Sequence, residues 1–194
     1  MKVLIACEFS AIVRTAFAAK GHNAWSCDLL SSELPGQHYK GDVLDILNDW
    51  SIIGGKPDII GAHTPCTFSC NSGVRWLWKD HIPVKDRWIK MKEMVDLFYT
   101  IYNCDVPKIY MENPIPHKYA KLPPYTQIVQ PYMFGDPYQK ATCLWLKGLP
   151  KLVPTNIVEG REQRIWKMPP SDHRAKDRSR TYSGIAKAMA ATWG

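Results

Sequence analysis

A cysteine stands behind a proline in Thr64-Pro65-Cys66-Thr67-Phe68-Ser69. It follows a run that reads as a buried strand, Pro57-Asp58-Ile59-Ile60-Gly61-Ala62. A thiol just past a strand end, in a turn stiffened by proline, is placed to act as a nucleophile, and cysteine is a strong one even with little thiolate present. Farther on, a second strand-like run, Lys108-Ile109-Tyr110-Met111, ends in Glu112-Asn113-Pro114. Thiol and carboxylate at neighbouring strand ends suit covalent attack on a ring, with the acid steadying a ring nitrogen. The ordinary fate of a cysteine is burial as a small hydrophobe, and Cys66 taken alone has no claim beyond that. His63-x-x-Cys66-x-x-x-Cys70 lacks the paired clusters of a zinc site, so no metal is expected.

A second group lies at the start of the chain. Cys7-Glu8-Phe9-Ser10-Ala11 joins a first strand to a helix. Amides at such a helix start can hold an anionic group, and Phe9 can stack on a flat ring. Asp28, at the end of a second strand, is placed to accept hydrogen bonds from ribose hydroxyls. Asp42, after Gly41, could take an adenine amino group. Together these suggest a nucleoside-containing cofactor. The glycine-rich fingerprint of dinucleotide binders is missing, which argues against NAD.

The elements that must position these residues alternate. Strands are expected at Lys2–Cys7, Ala24–Leu29, Asp58–Ala62, Lys108–Met111, Gln127–Tyr132 and Thr142–Leu146. Helices are expected at Ala11–Lys20, Val43–Trp50, Val84–Tyr102 and Ser183–Thr192; in the third, Trp88, Met91, Val95, Phe98 and Ile101 recur at helical spacing. This alternation implies a three-layer, Rossmann-like α/β domain with a mostly parallel sheet, whose ligands bind at the carboxyl ends of the strands. Residues 69–83, 113–126 and 147–182 read as long functional loops. Gly73 is a candidate hinge in the first of them.

Bulk composition agrees. The chain has 194 residues, 45% hydrophobic and 22% charged, enough for a single domain with a full core. No apolar stretch approaches the ~18–20 residues of a membrane span, and the first strand is too short for a signal peptide. A cytoplasmic protein is expected, and its six cysteines read as thiols. Of the net charge of +7, residues 150–194 carry +5, with nine Lys/Arg against four acids. A basic segment beside a reactive site points to a polyanion such as nucleic acid, although it could equally be a solvated tail.

These residues carry a family resemblance. Thr64-Pro65-Cys66-Thr67-Phe68-Ser69 resembles the Pro-Cys-Gln-x-Phe-Ser nucleophile motif of cytosine-5 DNA methyltransferases, and Glu112-Asn113-Pro114 is similar to their Glu-Asn-Val. Glu8-Phe9-Ser10-Ala11 looks like their cofactor turn, Gly41-Asp42-Val43 resembles Gly-Asp-Ile, and Asp28 falls where they have a ribose-binding acid. Phe134-Gly135-Asp136-Pro137-Tyr138-Gln139-Lys140-Ala141-Thr142 resembles Tyr-Gly-Val-Pro-Gln-x-Arg-x-Arg, and Ser183-Gly184-Ile185-Ala186 resembles the final motif that returns to the cofactor pocket. The matches run in the family's order over most of the chain.

The resemblance implies transfer of a methyl group from S-adenosyl-L-methionine to carbon 5 of cytosine in DNA, through a covalent Cys66 adduct. Cys66, Glu112 and Lys140 would be catalytic. Glu8, Phe9, Ser10, Asp28, Asp42, Pro65 and Ser183 would hold the cofactor. Arg75, Asn113, Arg174, Arg178 and Arg180 would meet DNA, either a duplex with a flipped cytosine or a single strand.

The chain also departs from the pattern. Ala11 replaces a glycine, and Tyr138, Lys140 and Thr142 stand where Gln, Arg and Arg are expected. Only 35 residues, 148–182, fill the interval where the family carries a target-recognition domain. A compact, phage- or prophage-like form is implied: one catalytic domain over 1–194 with a short basic substrate-contacting segment, working in the host cytoplasm. The same chemistry on a nucleotide or single strand, and a non-catalytic regulator that binds S-adenosylmethionine or DNA, are the alternatives.

Overall fold

The computed structural model describes residues 1–194, the side chain of Trp166 excepted. The strands of the main sheet are β1 (Lys2–Ala6), β2 (Asn23–Asp28), β3 (His38–Lys40), β4 (Ile59–Ala62), β7 (Lys108–Pro114), β8 (Gln127–Val129) and β9 (Thr142–Lys147); β5 (Trp78–Lys79) and β6 (Ile82–Pro83) form a separate hairpin. The helices are α1 (Ile12–Ala18), α2 (Val43–Asn48), α3 (Asn71–Val74), α4 (Lys85–Tyr102), α5 (Arg164–Lys167), α6 (Arg174–Ser179) and α7 (Ser183–Trp193). The sheet order is β3-β2-β1-β4-β7-β9-β8. The first five strands in that order are parallel, and β9 runs antiparallel to both β7 and β8. The expected mostly parallel α/β sheet is therefore present.

Parallel strands covered on both faces read as continuous apolar runs, and β1 and β4 do so. Alternation along β1 divides the core. Val3 and Ile5 join Val13, Phe17, Met189 and Trp193 on the face covered by α1 and α7. Leu4 and Ala6 join Ile46, Ile53, Phe98 and Ile101 on the face covered by α2 and α4. This is the three-layer arrangement, with side chains leaving successive positions on opposite sides. Buried Arg14 on α1 ties down the loop after β2 by donating to the carbonyls of Leu34 and Pro35, at 2.9 Å each.

The chain turns toward β2 after β1 and toward β4 on β1's other side, so the order reverses between β1 and β4. A crevice at the carboxyl ends of these strands is the usual ligand position in such sheets. Register decides what meets there. Ala6 pairs with Ala62, and Ala62 with Met111. The residues just beyond, Cys7-Glu8, His63 and Glu112, are consequently neighbours.

Several expected loops are built. Residues 69–83 hold α3, a 3-10 turn over Arg75–Leu77 and the β5–β6 hairpin. Residues 147–182 hold α5 and α6. All six elements are too short to leave a periodic signature. The expected strand Gln127–Tyr132 stops at Val129, because Pro131 opens a 3-10 turn.

Candidate active site

Cys66 sits in the β4–α3 turn, whose carbonyl at residue 66 accepts from the amides of Ser69 and Cys70, each at 3.1 Å. Cys66 is half-buried and Cys70 buried. The two thiols perturb each other in opposite directions, and Cys70 Sγ lies 3.1 Å from Ser72 Oγ. The Cys66 thiol is pushed up, first because it donates to Cys70, then by burial and by the charges of Cys70 and Glu112; Lys140 opposes the rise. Cys70 is lowered to about 5, first by the Cys66 donor; burial opposes, and Ser72 with the amides of Ser72 and Gly73 assists. Cys70 occupies the N-cap position of α3 without a side-chain cap hydrogen bond. Sequence reasoning set Cys70 aside; its spacing of four from Cys66 across a single turn was the available signal.

Glu112 is buried at the end of β7. Burial pushes its carboxyl up, but a hydrogen bond from His63, the charges of Lys140 and His63, and Thr142 together hold it below the usual range. His63 is the centre of this cluster. Its Nδ1 lies 3.3 Å from Glu112 Oε2 and 3.3 Å from Thr181 Oγ1, and its Nε2 lies 3.1 Å from the Tyr110 hydroxyl. His63 was considered only as a zinc ligand; its place one residue beyond a strand parallel to β7 is what brings it to Glu112. Asn113 donates from Nδ2 to Thr64 Oγ1 at 2.8 Å, while its buried Oδ1 has no partner. Lys140 donates from Nζ to the Arg180 carbonyl at 2.9 Å, and its charge still reaches both Cys66 and Glu112.

The expected cofactor residues are divided. Asp28 ends β2, and Asp42 N-caps α2 by accepting from Leu44 N at 2.9 Å. Both carboxylates raise the pKa of Cys27, which burial, the larger cause, also drives up, to about 12. Buried Ser10 lies in the turn. Glu8 corrects the reading: its carboxylate turns inward and accepts from Val13 N at 2.7 Å and Arg14 N at 3.1 Å. The amides expected to hold a ligand anion are thus occupied by the chain's own acid. Ala11 takes the left-handed conformation, φ 58°, where glycine is favoured. Phe9 is buried beneath Lys176, 4.9 Å from its ring centre, and Arg180, at 5.7 Å. Glu33 holds both cations, Lys176 at 3.0 Å and Arg180 Nη2 at 2.8 Å. Pro65 is exposed beside the nucleophile turn. Ser183, with Ile12, Asp136, Tyr138 and Tyr182, lines a cavity of about 450 Å³. Gly184 packs so tightly there that a Cβ would lie 1.9 Å from the Phe134 carbonyl, which brings the 134–142 and 183–186 motifs together.

Of the residues expected to meet DNA, Arg75 is exposed and stacks on Trp76. Arg174 donates from Nε to the Met168 carbonyl at 2.9 Å, Arg178 is half-buried on α6, and Arg180 is paired with Glu33. Gly73 is corrected as a hinge. It is buried, and a Cβ there would stand 1.7 Å from the Thr67 carbonyl, so the glycine lets α3 close over the Cys66 turn.

No protein-family model matches the chain, and no curated protein matches it. Among solved structures, the fold is similar to one from E. coli provisionally assigned as a DNA modification methyltransferase encoded within a prophage. The TM-score is 0.55 at 13% identity, over 88% of this chain and 55% of that one. This chain thus spans about half the length of that neighbour, and what the two demonstrably share is the α/β fold.

Proposed function

We infer that the chain transfers a methyl group from S-adenosylmethionine to carbon 5 of a cytosine in DNA. The observation that carries this reading is the meeting of Cys66 and Glu112 at adjacent strand ends, with His63 and Lys140 facing the carboxylate. The similarity of the fold to a provisionally assigned DNA methyltransferase supports it.

For the cofactor, Asp28 and Asp42 would offer carboxylates to hydroxyl and amine donors and Phe9 a ring face, while Ser183 lines a cavity of about 450 Å³ that none of those three residues lines. When bound, S-adenosylmethionine supplies an electrophilic methyl group. Use of the Phe9 face requires Lys176 and Arg180 to draw aside, since both now lie over it.

The protein's own residues do the rest. Cytosine carbon 5 is a weak nucleophile until a thiolate adds at carbon 6. Cys66 must lose its proton to attack, a step that the charges of Cys70 and Glu112 oppose and the charge of Lys140 favours. Glu112 binds the exocyclic amine and ring nitrogen 3, which takes up a proton from solvent as charge develops there, and His63, whose Nδ1 lies 3.3 Å from the carboxylate, holds Glu112 in place. Once carbon 5 is methylated, its proton leaves to water, the electrons of that bond re-form the 5,6 double bond as the Cys66 thiolate departs, and ring nitrogen 3 gives up the proton it gained. The base reaches Cys66 only when flipped from a duplex or already unpaired.

The test is incubation with isotopically labelled S-adenosylmethionine and DNA, followed by nucleoside analysis. Label in 5-methylcytosine is expected, and none with Cys66→Ser. Label in another nucleoside, or equal transfer by Cys66→Ser, contradicts the reading.

A further inference from the structure

Beside the nucleophile turn lies an aromatic surface that none of these steps uses. Asp80 (φ 49°) and His81 (φ 64°) make the two-residue turn of the β5–β6 hairpin. Positive φ at both central positions suits the tight hairpin turns. A two-stranded hairpin is marginal alone. This one leans on α4: Trp88 stacks edge-on against Trp78 at 5.7 Å and donates from Nε1 to the Leu77 carbonyl at 3.1 Å. The row continues from Trp88 to Tyr119 at 5.5 Å and from Tyr119 to His117 at 4.5 Å. His117 N donates to the Ser69 carbonyl at 2.7 Å, three residues from Cys66. The aromatic row therefore ends at the nucleophile turn.

Two members of the row are open to solvent, Trp78 at 41% and Tyr119 at 40%, and so are two residues of the adjoining segment, Trp76 at 55% and Ile82 at 68%. Large exposed aromatics on a built hairpin mark a binding surface. Cations are interleaved with them: Arg75 lies over Trp76 at 4.5 Å and Arg87 over Phe68 at 4.6 Å, and Lys79, Lys90 and Lys118 are exposed nearby, against Asp80 and Asp86. Aromatic faces set among cations match the bases and phosphates of an unpaired strand. Duplex bases keep their faces stacked on one another, so such a platform offers a duplex little. Reading a duplex through its major groove needs a free helix or ribbon. Among the described residues only α4 and α7 exceed ten residues, and both bury a face against the sheet, while the β5–β6 ribbon has two residues in each strand and rests on α4.

We propose that Trp76, Trp78 and Tyr119, with Arg75 and Lys79, form a stacking platform for single-stranded DNA that flanks the base presented to Cys66. The proposal rests on the methyl-transfer reading for the fate of that base, while binding itself is independent of it.

The test uses the full chain without cofactor and a fluorescein-labelled cytosine-containing 12-mer. Anisotropy is followed for the single strand, its duplex and an abasic strand of equal length. The single strand is expected to bind at least tenfold more tightly than either. Trp76→Ala and Trp78→Ala each weaken it by about tenfold, and Trp76→Phe restores most of the loss. Trp76 is the more exposed, so its variants keep the native unfolding transition even if Trp78→Ala does not. Equal binding of the abasic strand, preference for the duplex, or wild-type affinity in a folded Trp76→Ala overturns the platform. Loss of affinity in the tryptophan variants without methylation of any nucleic acid supports the platform and sinks the methyl-transfer reading instead.

Discussion

Two sulfurs one turn apart, Cys66 and Cys70, have opposite environments. The Cys66 thiol is pushed up, half-buried and within reach of the Glu112 charge; Cys70 is lowered to about 5, at the start of α3. The charge of Cys70 keeps the proton on Cys66, so Cys70→Ala should let Cys66 ionise at lower pH and speed transfer by about tenfold on the rising limb, read from single-turnover rates between pH 4.5 and 8. An unchanged profile would show that Cys70 does not govern the Cys66 proton. His63 permits a second check. With His63→Gln, the buried Glu112 carboxyl loses support against desolvation, so its pKa should rise and transfer should slow by roughly 10- to 100-fold. A carbon-13 titration of Glu112 reads the first effect without any activity, and an unmoved titration contradicts the role of His63. Cys66 and Glu112 were legible because each follows a plain strand. His63 and Cys70 were not, because their roles come from strand register and from a turn, which residue type alone does not reveal.

At the scale of elements, the long regular pieces were readable and the short ones were not. The apolar runs of β1, β4 and β7 and the helical spacing in α4 announced themselves. The four-residue α3 and the two-residue hairpin strands carry no period, and tertiary contacts hold them. Glu8 was misjudged for a related reason: acids near a helix start favour either a ligand or the helix itself, and here the helix amides take it. Gly73 makes the packing of α3 testable. A Cβ at 1.7 Å from a main-chain carbonyl forces the backbone apart, so Gly73→Ala should cost about 2 kcal/mol in urea unfolding and displace Cys66. A variant of native stability would restore the hinge reading.

For the molecule as a whole, sheet topology does the assembling. The β1–β4 reversal gathers Glu8, His63 and Cys66, and the β4–β7 pairing adds Glu112. The basic excess of residues 150–194 was legible as a charge, but its placement was not: Lys176 and Arg180 are engaged by Glu33 and lie over Phe9. Exposed Trp78 and Lys79 lie instead on the hairpin, and exposed Lys90 on α4. The central claim is that Cys66 attacks carbon 6 of a cytosine, and one measurement addresses it directly. An oligonucleotide bearing 5-fluorocytosine, incubated with the protein and S-adenosylmethionine, has fluorine where the departing proton should be, so Cys66 cannot be eliminated and the protein should stay covalently attached. Peptide mass spectrometry should place the adduct on Cys66. An adduct on Cys70 or any other residue, or none from a protein that methylates unmodified cytosine, would contradict the account.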